Sequence, residues 1–143
     1  MLNFRCKRTR ERKVFIHISM YPFDLIVLID DDPINNLINK RLINKLNLSP
    51  KTIEFLEAEM ALQYLKDPKL EKRLLILVDI NMPVMNGWDF LSQYLELENG
   101  RKDRIIMLSS SIDFQDRQRS KEFPFVSGFI EKPLTHEKLN SLL

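Results

Sequence analysis

From Leu25 onward, short runs of branched aliphatic residues alternate five times with longer segments whose apolar residues recur at helical spacing. Few architectures accept that rhythm. A strand that reads as a continuous apolar run, LIVLI at 25–29 or LLILV at 74–78, must be covered on both faces, and the intervening helices are what cover it. The expected fold class is therefore α/β, a doubly wound parallel sheet of five strands.

The first strand, Leu25 to Ile29, ends on three aspartates. Pro33, behind Asp32 as N-cap, opens a helix whose apolar stripe is Ile34, Leu37, Ile38, Leu42 and Leu46. Thr52 to Leu56 reads as a weaker second strand, and a helix near Glu59 to Lys66 follows with Met60, Leu62 and Leu65 inward, closed by Asp67 and Pro68. The third strand, Leu74 to Val78, ends on Asp79 and enters the loop INMPVMNG, where Pro83 and Asn86-Gly87 signal turns. Trp88 to Leu97 is expected to be helical with Leu91, Tyr94 and Leu95 facing the core. Ile105 to Leu108 is the fourth strand, ending in Ser109, Ser110 and Ser111. A mostly exposed helix is expected over Asp113 to Glu122, a fifth strand over Val126 to Ile130, and a short last helix from Thr135 to Leu143.

At 143 residues and 44% hydrophobic side chains, the chain suits one domain with a core of its own. A single cysteine, Cys6, excludes a disulfide framework and a cysteine-based zinc site, which fits a reducing cytoplasm. No apolar run approaches the roughly 20 residues of a membrane span, and Val14 to Ile18 is too short for a signal peptide. The chain reads as a soluble cytoplasmic protein with no membrane partner. Its net charge of +2 divides into +5 over residues 1–20 and −3 elsewhere. Residues 1–23 are expected to be a basic leader, disordered or translated only from an early start ahead of Met20, and residues 24–143 the domain. The leader lacks interleaved aromatics and a recognition motif, so nucleic acid is not an expected partner.

Four polar features stand at the carboxyl ends of four strands: Asp30 and Asp31, Asp79, Ser109, and Lys132. In open α/β sheets that edge is where ligands bind, so these side chains should meet in one pocket. Three crowded carboxylates repel one another unless a cation is present, and a hard, oxygen-seeking ion such as Mg²⁺ or Mn²⁺ suits them. A strand-end aspartate beside such an ion, a lysine and a hydroxyl is arranged for phosphoryl transfer. Each element alone is weak, because aspartates at strand ends are commonly caps and lone lysines are commonly solvated.

Together, LIDDDP (28–33), DINMPVMNG (79–87), MLSSS (107–111) and SGFIEKP (127–133) resemble the CheY-like response-regulator receivers over Leu25 to Leu143. The resemblance implies a flavodoxin-like (βα)5 fold with strand order 2-1-3-4-5. It implies that Asp79 is the phosphoacceptor, that Asp31 binds the metal directly and Asp30 through water, and that the main-chain carbonyl of Asn81 completes the ligands. Ser109 matches the family's switch serine or threonine, Lys132 its lysine, and Phe129 its switch aromatic, often tyrosine; phenylalanine here forgoes a hydroxyl. Ser111 stands where family members tune acyl-phosphate lifetime. The Lys132-Pro133 bond is expected to be cis. The implied phosphodonor is a sensor histidine kinase or histidine phosphotransfer protein, since His17 and His136 are not placed to serve. With no effector domain following, output is expected to pass through another, unidentified protein: a stand-alone receiver in a phosphorelay, and not an enzyme beyond its own phosphorylation and dephosphorylation.

Two rivals fit less well. A haloacid-dehalogenase-type phosphohydrolase needs a D-x-D-x-[TV] run, whereas Asp30 and Asp32 are followed by Pro33-Ile34, and only Glu137 follows Lys132. An unphosphorylated interaction module would keep its carboxylates crowded for no return. Met82 and Trp88 are expected only to pack or cap the fold, and Gly128 to relieve crowding.

Overall fold

The structure, a computed structural model, describes residues 2–9, 12–19, 21–70, 73–97, 101 and 103–143, the first two stretches by backbone alone. Strands β1 (Leu2–Thr9) and β2 (Arg12–Ser19) pair antiparallel as a ribbon separate from the main sheet. For these residues the sequence reading expected no regular structure. The alternation of Leu2, Phe4 and Cys6 with Asn3, Arg5 and Lys7 is the period-two signal that favours a strand. The side chains of Cys6 and His17 lie outside the described residues.

The main sheet consists of β3 (Leu25–Ile29), β4 (Thr52–Phe55), β5 (Leu74–Asp79), β6 (Arg104–Ser109) and β7 (Val126–Glu131). Its spatial order is β4-β3-β5-β6-β7 with every pairing parallel, which is 2-1-3-4-5 counted from Leu25. Helices α1 (Pro33–Leu46), α2 (Ala58–Leu65), α3 (Gly87–Leu95), α4 (Phe114–Arg119) and α5 (His136–Asn140) connect and follow the strands. A 3₁₀ turn, Ser120–Glu122, extends α4.

Strand alternation divides the core in two. Leu25, Val27 and Ile29 join Ile76 and Val78 against Ala58, Ala61, Leu62 and Leu65 of α2 and Phe90 and Leu91 of α3. Ile26 and Leu28 face the other way, with Leu75, Leu77, Ile106 and Leu108, against Ile43 of α1 and Leu139 of α5. Both sheet faces are thus buried, which is why β3 and β5 read as unbroken apolar runs. The chain leaves β3 toward β4 and then crosses back to β5, so the strand order reverses between β3 and β5 and opens a crevice at their carboxyl ends.

Helix phase departs from expectation in three places. On α1, Ile34, Leu37 and Ile38 are exposed at 64%, 47% and 57%, while Asn36, Asn39 and Ile43 face inward. The inward turn nearest the sheet edge is occupied by an amide that bonds backbone carbonyls, so the first three apolar residues face outward, while Leu42 and Leu46 pack against the core as expected. Met60 is exposed because Ala58, Ala61, Leu62 and Leu65 take the inward face of α2. Leu95 is exposed at the last residue of α3, where Tyr94 fills the inward position. Among the described residues, no helix is long and apolar enough to cross a membrane.

Candidate functional site

The residues that end β3, β5 and β6 converge with Lys132, which follows β7. Asp30, Asp79 and Ser109 are buried, and Asp31 is exposed. Carboxylate oxygens of Asp30, Asp31 and Asp79 lie within 4.8 Å of one another. The Lys132 ammonium bridges two of them, donating to Asp30 Oδ2 at 2.9 Å and to Asp79 Oδ2 at 3.1 Å.

Local structure holds each group in place. Asp32 caps α1 by accepting from the Ile34 N–H at 2.9 Å, with Pro33 at the first helical position, where no N–H is needed. The Asp32 N–H in turn donates to Asp30 Oδ1 at 2.9 Å. Beyond Asp79, the Ile80 N–H donates to the Leu108 carbonyl and the Gly87 N–H to the Ile80 carbonyl, folding the acceptor loop back on its own strand. Gly87 is required there, because a Cβ would stand 2.7 Å from the Asp79 carbonyl oxygen and 2.8 Å from Ile80 Cα. Val84 has φ +67° with the Met85 N–H donating to the Pro83 carbonyl at 2.8 Å, a strained three-residue turn that exposes Val84 at the loop tip. Asn86 and Asp89 form a capping box at the start of α3. On the far side, the Lys132 N–H donates to the Ser109 carbonyl at 2.7 Å, and the Lys132-Pro133 bond is cis, as expected.

Burial raises the Asp79 pKa, with Asp30 adding repulsion, against the opposing pull of Lys132 and the Asn81 N–H. Burial alone would lower Lys132, but its bonds to Asp30 and Asp79 outweigh it, so its pKa is raised and it remains a cation. One ammonium thus bridges two of the three carboxylates. The three carboxylates are all hard oxygen donors, and the set fits a small divalent cation such as magnesium.

The Ser109 hydroxyl is engaged locally, donating to the Ser111 carbonyl at 2.7 Å and accepting from the Ser111 N–H. Phe129 is half-buried, its ring 5.9 Å from that of Trp88. Trp88 is buried, as its packing role implied, but it also stacks on Phe123 and lies under the Arg119 guanidinium at 5.6 Å. Met82 is buried, and a Cβ on Gly128 would stand 2.8 Å from Leu142, so both remain packing residues. Sequence reasoning missed Asn36, whose Nδ2 donates to the carbonyls of Asp30 and Phe55. A polar residue inside an apolar helical pattern was its one signal.

Residues 26–143 match the family model for the response regulator receiver domain. The chain is 32% identical over 124 residues to the sensor histidine kinase CheAY of Helicobacter pylori, covering 85% of this chain and 15% of that protein. It therefore spans only about 15% of the length of the curated relatives it first matches. Among solved structures, a two-component response regulator from Cytophaga hutchinsonii superposes with a TM-score of 0.74 at 28% identity, covering 84% of this chain and 93% of that one. The receiver domain of the sensor histidine kinase PA1611 from Pseudomonas aeruginosa, which has a magnesium ion coordinated in its active-site cleft, shares the fold at a TM-score of 0.68 and 21% identity, with 84% and 93% covered. With the family model spanning nearly all of the sheet and the four strand ends meeting at one crevice, the chain belongs to the CheY-like response-regulator receiver domains of two-component signalling.

Proposed function

We propose that Asp79 accepts a phosphoryl group from a phosphohistidine on another protein and that this exchange switches binding to a downstream partner. The observation that carries the reading is Lys132 bridging Asp30 and Asp79 beside the exposed Asp31, an arrangement with one cation too few for its carboxylates. An ionised Asp79 oxygen attacks phosphorus, the bond from phosphorus to the imidazole nitrogen breaks, and the electron pair leaves with the histidine. The Lys132 ammonium offsets charge on the phosphoryl oxygens, and the Ser109 hydroxyl gives up the Ser111 carbonyl to hydrogen-bond one of them. Asp30, Asp31, Asp79 and the Asn81 carbonyl would hold magnesium, or manganese, which when bound neutralises the carboxylates and the transferring group.

In this reading the chain acts on its own aspartate and turns over no separate substrate. Its donor is a sensor histidine kinase or a histidine phosphotransfer protein, and the exchange takes place in the cytoplasm. The output is a change on the surface of α4, β7 and α5. Drawing Ser109 toward the site vacates space behind β6, into which Phe129 turns. Phosphotransfer from the host's phosphohistidine proteins tests the reading. Phosphate should leave the donor and appear on this chain as an acid-stable, base-labile group, with chelation of magnesium blocking the transfer. Phosphate that stays on every donor, or arrives as a base-stable ester, contradicts it.

A further inference from the structure

We propose that Asn36 is the positioning residue that sets the acidic loop for its cation. The inference rests on the phosphoacceptor reading and names a residue of α1 that the chemistry itself does not touch. Asn36 is 1% exposed in the first turn of α1, where asparagine is a poor helix former and a buried amide is costly unless bonded. Its Nδ2 donates at 3.0 Å to the Asp30 carbonyl and at 3.3 Å to the Phe55 carbonyl. Its Oδ1 is buried without a partner among the described residues. Turning the amide over would set that oxygen against two carbonyls, so the two bonds dictate its orientation. An aliphatic side chain would avoid the orphaned oxygen; the two bonds are what the amide adds.

Those bonds fall where the metal-facing residues leave the sheet. The Asp30 N–H donates to the Phe55 carbonyl at 3.1 Å, its Oδ1 accepts from the Asp32 N–H, and its Oδ2 from Lys132. Asn36 supplies the remaining restraint, on the Asp30 carbonyl oxygen. Because the peptide is planar, a bond to that oxygen orients the whole Asp30–Asp31 peptide and with it the direction in which the Asp31 side chain leaves the backbone. Asp31 is exposed, so its approach to Asp30 and Asp79 depends on that plane more than on packing around its side chain. Asn36 therefore acts on the cation through Asp31, as outer-shell partners do in metal sites generally.

Magnesium titrations of the full chain, followed by NMR amide shifts of residues 30–32 and 79–81 with thermal melts alongside, separate this role from simple stapling of α1 to β4. Asn36→Leu removes the donor at similar volume and should weaken magnesium binding at least about 10-fold, within the range for lost outer-shell bonds. Should that variant fold poorly, Asn36→Ser gives the same readout. Ile43→Val, fully buried on the same helix, lowers stability while leaving the acidic loop alone, and should bind magnesium like the parent. The inference is overturned if the Asn36 variants keep the parent's affinity however far their melting temperature falls, or if Ile43→Val weakens binding as much as they do. A parent chain that binds no magnesium at all overturns the phosphoacceptor reading itself, and this inference with it.

Discussion

Burial works against the Asp79 carboxylate, and Asp30 beside it adds repulsion that Lys132 and the Asn81 N–H only partly offset, so the pKa is raised. An acid whose folded pKa lies above its unfolded value holds its proton more tightly when folded. Its ionisation therefore costs stability above the raised value, and the cost fades as pH falls through that value into the ordinary carboxylate range. Asp79→Asn, melted without magnesium, should be more stable than the parent at neutral pH, with the gap closing on acidification. Equal melting temperatures at neutral pH would contradict the argument. Lys132 has a linkage of the same sign in a far more alkaline window: its pKa is also raised, so its contribution is complete below the ordinary lysine value and is lost only as pH rises through the raised one. The acid-side change thus reports the carboxylate. Asp30, Asp31, Asp79, Ser109 and Lys132 were legible in the sequence because each ends an apolar strand, where a polar side chain must emerge at the sheet edge. Asn36 was not legible, because its role lies in bonds to backbone carbonyls distant in sequence.

Among the helices, α4 is the least anchored, with no buried residue in its six. Arg119, at its last turn, lies over the Trp88 ring, which also contacts Phe129 and Phe123. An exposed cation–π contact is worth about 0.5–1 kcal/mol, so Arg119→Gln should speed amide exchange over residues 114–122 by about 2- to 5-fold while β3 and β5 stay protected. Unchanged exchange there would show that the contact does not hold α4. The proposed switch runs through the same region. With magnesium and beryllofluoride, a non-covalent phosphoryl mimic, the parent should show NMR shifts across residues 113–130, whereas Ser109→Ala should show them only around Asp79. A coupling of about 1–3 kcal/mol would suffice to change partner affinity roughly 5- to 150-fold. Shifts confined to the Asp79 loops in the parent would contradict the switch. Strands were read from sequence more surely than helix faces, since LIVLI and LLILV admit one interpretation once both faces are covered. The first half of the α1 stripe misled because Ile34, Leu37 and Ile38 obey the helical period, yet there the inward position is taken by Asn36 reaching two carbonyls, and of the stripe only Leu42 and Leu46 pack on the core.

For the whole molecule, the five-stranded sheet and its two cores are built from residues 23–143, and the ribbon of β1 and β2 pairs only with itself in the sheet topology. Deleting residues 1–20 should leave the melting temperature and phosphoryl uptake of the remaining domain unchanged; a large loss of either would make the ribbon part of the domain. The fold class was accessible from sequence because five alternations of strand and helix leave few parallel topologies, and the strand order because the resemblance to the receivers implies one of them. The ribbon was not, because its alternation is diluted by basic residues on both strands. The central claim, that Asp79 is the phosphoacceptor, is tested most directly by exposing the parent and Asp79→Asn side by side to a small-molecule phosphodonor with magnesium and measuring intact mass. The parent should gain one phosphoryl group that chelation prevents and mild base removes, and Asp79→Asn should gain none. Equal uptake by the two proteins would contradict the account.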